Sequence, residues 1–200
     1  MDMPVRNALA SLSPPITKMI RMDHSHVMVL SHRYAADVSP ARRKAIADAV
    51  CLALEIHAQL EEEIFYPALQ EVDAGNDVLA KSKPEHDEMR RLIAELRSID
   101  PEDMRHATTF HRLMRGVMHH VADEEAELLP EAERLLRGRL GELGARMTQR
   151  RLQLAAPHAG EIAINQARAM PVATLLVAGG LMMAAFLVGR RIASPYRMLH

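Results

Sequence analysis

The sequence predicts an all-α chain, an antiparallel up-down four-helix bundle followed by a C-terminal apolar helix. Three observations predict it. Ala, Leu, Glu and Arg dominate a composition with no Trp, 14 Met and 11 His. Apolar residues recur at alternating spacings of three and four in four successive segments. The second pair of segments repeats the first, and the joints are short, which favours antiparallel neighbours.

In the segment from Ile16 to about Tyr34, one stripe carries Ile20, His24, Val27, Ser31 and Tyr34. Ser39 before Pro40 is an N-cap with proline at the first helical position. Ile46, Val50, Ala53, His57, Leu60 and Ile64 then trace a second stripe in a helix reaching about Val72. Asp73 to Asn76 breaks the pattern, and Ser82-Lys-Pro-Glu85 reads as a capping box opening a third helix with His86, Met89, Ile93 and Leu96 inward. Asp100-Pro101 opens the fourth, where Phe110, Leu113, Val117, His120, Glu124 and Leu128 share a face and Pro130 should kink or shorten the helix. The expected organisation is an N-terminal segment 1–14, a bundle 15–155, a linker 156–169 containing Pro157 and Gly160, a membrane span 170–189 and a short basic tail 190–200.

A formal charge of −1, from 25 basic and 26 acidic residues, gives no electrostatic case for nucleic acid as a partner. Cys51 is the only cysteine, which excludes an intramolecular disulfide and thiolate-rich metal sites. Met1 to Ile20 holds no apolar run of signal-peptide length. Pro171 to Gly189 is uncharged and, as a helix, roughly as long as the bilayer hydrocarbon is thick. Arg190, Arg191 and Arg197 beyond it run against the positive-inside tendency. The short tail and the missing signal point instead to a membrane-anchored bundle on the cytoplasmic side. The alternative is a soluble cytoplasmic protein whose apolar helix is buried in a homo-oligomer interface.

Laid on each other, the halves match His24 with His86, and His57, Glu61, Glu62 and Pro67 with His120, Glu124, Glu125 and Pro130. Both copies read H-x-x-x-E-E-x-x-x-x-P. Residues four apart lie about 40° apart around a helix, so each His and its Glu project from one face, one turn apart. Two buried carboxylates facing each other would repel or take up a proton, and a cation between them removes the conflict. Two His-x-x-x-Glu helices plus single inward histidines on the other two make six ligands, the inventory of a dinuclear site in a bundle core. If both glutamates bridge, octahedral metals keep positions for an oxo or hydroxo bridge and a small exogenous ligand.

From Asp23-His24 through Lys83-Pro-Glu-His86 to Glu124-Glu125-Ala-Glu-Leu-Leu-Pro130, the chain resembles the hemerythrin-like, or HHE cation-binding, family over roughly residues 15 to 155. The resemblance implies two iron ions, with His24, His57, His86 and His120 as terminal ligands and Glu61 and Glu124 as bridges. Oxygen-carrying hemerythrins have a further histidine one turn after the third-helix ligand; that position here is Arg90. This moves the expectation toward the four-His, two-Glu group, which includes oxygen or iron sensors and nitric-oxide-linked iron-repair proteins.

Of the other histidines, His26 and His111 point away from the ligand face, His119 points about 100° from His120, and His106 shares the inner face too far along the axis. Glu62 and Glu125 are alternative ligands, about 140° from their histidines. Tyr66 and Tyr34 are expected at the core edge, with a gating role near the metals as the sharper reading. The functional expectation is a non-haem di-iron protein binding O2, NO or peroxide for sensing, storage or detoxification. A peroxidase-like or iron-centre-repair enzyme and a metal-stabilised signalling module are the alternatives, and mixed imidazole–carboxylate sites also accept manganese or zinc.

Overall fold

Six stretches of chain carry the architecture, in a computed structural model that describes residues 13–169. Helices α1 (Ile16–Ser31), α2 (Pro40–Leu60), α4 (Asp77–Ser98) and α5 (Met104–Asp123) form the bundle. Short helices α3 (Tyr66–Gln70) and α6 (Leu129–Leu135) prolong α2 and α5, and α7 (Leu140–Ala155) and α8 (Ala159–Ala169) follow. Cross-helix pairs give the directions. Tyr34, just past α1, stacks on Phe110 in the first half of α5, while His24 meets Glu125 past the end of α5. Arg97 reaches Glu55 and Arg90 reaches Glu62, so α2 and α4 are antiparallel; Arg112–Glu95 and His120–Glu85 make α4 and α5 antiparallel.

The core is divided along the bundle axis. One apolar cluster, around Val27, Ile46, Val50, Ile93, Phe110 and Leu113, fills one end. A second, around Ile16, Ile20, Leu60, Phe65, Leu69 and Leu128, fills the other. Between them lie His24, His57, Glu61, His86, His120 and Glu124, all buried.

Several expected boundaries move. The third helix starts at Asp77, not at Ser82, because Asn76 caps it by accepting from the Leu79 amide at 3.0 Å. The Ser82 hydroxyl instead donates to the Val78 carbonyl one turn back, and Pro84 sits inside the helix without ending it. The fourth helix starts at Met104 under an Asp103 cap rather than at Asp100-Pro101. Pro130 does not shorten its helix: the turn before it widens. The Leu129 amide bonds to Glu124 O, five residues back, and in the first half the Tyr66 amide bonds likewise to Glu61 O, ahead of Pro67. A proline has no N–H for the carbonyl four residues back, and a π turn carries the helix past the missing bond.

Residues 156–169, expected as a linker, are helical: a 3₁₀ turn at Ala156–His158 runs into α8, which packs along α2 with Asn165 buried. The expected span 170–189, the tail 190–200 and most of the segment 1–14 lie outside the described residues. Among the described residues no helix is long and apolar enough to cross a membrane.

Helix α7 packs against α1 because Gly144 admits the backbone of Pro14. A Cβ there would sit 2.0 Å from the Pro14 carbonyl oxygen. Gly144→Ala is therefore expected to destabilise the fold by about 2–3 kcal/mol through overpacking against backbone, read as a lower midpoint in urea denaturation.

Candidate metal centre

The helix period brings together the four histidines and two glutamates expected to meet: His24, His57, Glu61, His86, His120 and Glu124. His24, His57, Glu61 and Glu124 offer ligand atoms all within 4.8 Å of one another, and so do Glu61, His86 and His120. Glu61 belongs to both groups. Its Oε2 lies 3.2 Å from His57 Nε2 and 3.5 Å from His86 Nε2. Glu124 spans the same gap, with Oε2 3.4 Å from His24 Nε2 and 3.6 Å from His120 Nε2. Both carboxylates are 0% exposed. The π turns begin at these two glutamates, so the distortion that carries each helix past its proline falls where the carboxylates enter the core.

Burial without hydrogen bonding shows what this arrangement fits. His24 Nε2, His57 Nε2, Glu61 Oε1 and Glu124 Oε2 are all buried with no hydrogen-bond partner. Leaving one such atom unsatisfied costs about 1–3 kcal/mol, so four in one place imply a ligand common to them. The donor set, imidazole nitrogen with carboxylate oxygen, suits first-row transition metals. Burial, with the facing Glu124 charge, pushes Glu61 well above the usual carboxylate range. Burial holds His57 below its usual value, and burial with the neighbouring His120 and His57 takes His86 down to about 2. These imidazoles are held in the neutral form that ligates a cation.

Each histidine turns its outer nitrogen to an acid on another helix. His24 Nδ1 meets Glu125 at 2.8 Å, His86 Nδ1 meets Glu62 at 3.0 Å, His120 Nδ1 meets Glu85 at 2.8 Å, and His57 Nδ1 lies 3.5 Å from Asp23. Such carboxylates fix the tautomer and ring orientation of a ligating histidine and raise its basicity. Glu62 and Glu125, weighed as alternative ligands, are directed to the outer nitrogens instead. Asp23 and Glu85 were missed by the sequence reading. Their signal was present: an acid directly precedes His24 and His86, as a second acid directly follows Glu61 and Glu124.

Two of the four acids are themselves held by arginine. Arg90 Nη2 lies 2.8 Å from Glu62, so the residue at the missing fifth-histidine position grips the acid behind His86. Arg151 on α7 makes two 2.6 Å bonds to Asp23. Although burial opposes it, the neighbouring His57 imidazole and the Arg151 guanidinium bring Asp23 down to about 2.

Tyr66, expected at the core edge, reaches the middle of the centre. Its hydroxyl lies 2.9 Å from Glu124 Oε1 and 3.1 Å from Glu61 Oε2. Burial and the two carboxylates push the phenol well above its usual value, so it stays a neutral donor. Tyr34 is distant from the centre and bonds instead to buried His106. His26 and His111 are exposed, as expected, and so is His119, on the outer side of α5.

Residues 16–132 match the family described as Hemerythrin HHE cation binding domain. A "DNA nickase" from Nostoc sp. (strain PCC 7120 / SAG 25.82 / UTEX 2576) is 29% identical over 113 residues, covering 56% of this chain. The aligned part is 32% of that protein, so the chain spans about a third of the relative's length. No solved structure matches.

Arg151 lies beyond the matched residues, yet it grips the acid behind His57. Replacing it by Ala should weaken metal retention about 10–100-fold, the usual effect of removing an outer partner of a ligating histidine. Lys, which lacks the two-pronged fork, should restore only part of it. Competition with a chromogenic chelator measures both.

Proposed function

The chain belongs to the hemerythrin HHE cation-binding family, and from that premise we propose a non-haem di-iron protein that binds O2, NO or a related small ligand for sensing, storage or detoxification. His24 and His57 would hold one ion and His86 and His120 the other, with Glu61 and Glu124 shared between them. The observation that carries this reading is Glu61, whose Oε2 lies within 3.5 Å of a histidine nitrogen from each group. When bound, the pair supplies redox chemistry and coordination positions that the protein leaves free.

The chain's own residues prepare the place. The four outer acids hold the imidazoles with their Nε2 atoms inward. Tyr66 fixes the two carboxylates from the side of the second apolar cluster through its hydroxyl, and the clusters above and below keep water away from the donors. With Arg90 where oxygen carriers have a histidine, each ion would receive two imidazoles and two shared carboxylates. That equal sharing favours sensing or detoxification over reversible oxygen carriage. Nucleic acid stays outside the proposal, since the net charge of −1 offers no electrostatic footprint and the nickase likeness covers only a third of that protein.

Full-length protein purified in air is expected to carry two irons per chain and to show ligand-to-metal charge-transfer absorption. Iron-free protein without such bands, after reconstitution with ferrous iron, would overturn the reading. Glu61→Gln should cost at least one iron while Glu63→Gln, on the exposed side of the same turn, costs none. Chelation should lower stability by about 2.7 kcal/mol or more relative to metal at a hundred times its dissociation constant, read in thermal melts.

A further inference from the structure

A cavity of about 260 Å³ lies against the histidines, on the side of the centre facing the first apolar cluster. Its walls are Val27, Leu54, Met89, Leu92, Leu113 and Val117, all buried, and His24, His57, His86 and His120 form its floor. No lysine or arginine lines it. The mouth opens between α4 and α5, where Glu88, Gly116 and His119 are exposed. An apolar cavity of about 150 Å³ in another protein takes up benzene, and a water molecule occupies about 30 Å³ of liquid. The space here is several times what a diatomic ligand needs. A concave, mostly apolar space with a few polar groups converging at its floor is the usual form of a small-molecule site.

Gly116 adds an independent observation. It sits in the middle of α5, where glycine is less stable than alanine. Packing does not require it: a Cβ at this position would meet nothing within 4 Å. It lines the cavity where the cavity meets solvent, and presents no side chain there.

We infer that the cavity is a binding site for a neutral, apolar organic molecule of about the size of benzene or a fused bicycle, admitted past Gly116 and seated against the four imidazoles. The six apolar walls would strip the hydration of a charged ligand, and no lysine or arginine offers an anion a counter-charge. Anions are further opposed by Glu85 and Glu88 at the rim. The inference rests on the di-iron reading for what the molecule meets at the floor, and deepens it by naming the class of organic ligand.

The test titrates full-length, iron-loaded protein with fluorobenzene, followed by fluorine NMR, with iron measured on the same samples. Val117→Phe fills the cavity from within, and Gly116→Leu covers the mouth from solvent and carries the test should the core substitution not fold. Saturable binding is expected, weakened about tenfold or more by Val117→Phe and exchanging about tenfold more slowly in Gly116→Leu, at unchanged iron. No saturable binding to protein that holds its iron overturns the inference, as does equal binding and exchange in wild type and both variants. Protein that takes up fluorobenzene in this variant-sensitive way but no iron supports the cavity and overturns the di-iron reading alone.

Discussion

Two carboxylates that never meet water set the terms for this molecule. Glu61 and Glu124 face each other between two apolar clusters, and neither can stay ionised there without compensation. Four imidazoles and one phenol surround them, yet donors and acceptors remain unpaired among the six central residues. The bundle is thus built around a deficit that bound metal would fill, and its apolar ends make the deficit sharper by lowering the local dielectric.

The same duplication explains the geometry. Each half contributes an acid-His pair on its first helix and an H-x-x-x-E-E turn on its second, and the halves exchange one of their two outer acids. Asp23 and Glu85 serve the histidines of the following helix, while Glu62 and Glu125 serve those of the first helix of each half. The π turns at Glu61 and Glu124 are part of this pattern: the proline six residues on cannot complete an ordinary turn, and the helix widens where its carboxylate enters the centre.

Beyond the family-matched stretch, α7 and α8 add a layer to the bundle. Gly144 seats α7 against the start of α1, and two turns later Arg151 closes on Asp23. A residue from outside the duplicated unit therefore supports the acid behind one of the four central imidazoles, and makes the two halves unequal behind an otherwise symmetric centre.

The all-helical class, the four bundle helices and the convergence of the six central residues were legible in the sequence, because a period of 3.6 residues and a repeated His–Glu spacing are local properties that survive without coordinates. The helix starts were less so: Asn76 and Asp103 outcompeted Ser82 and Asp100 as caps, and a capping signal does not reveal which of two nearby candidates will find its amide. The outer acids, the Arg151 grip, the place of Tyr66 and the cavity beside the histidines emerged only in three dimensions. Each depends on which side chains of different helices face one another across the bundle; residue spacing marks the inward face of one helix but not the partner it meets there, which packing decides.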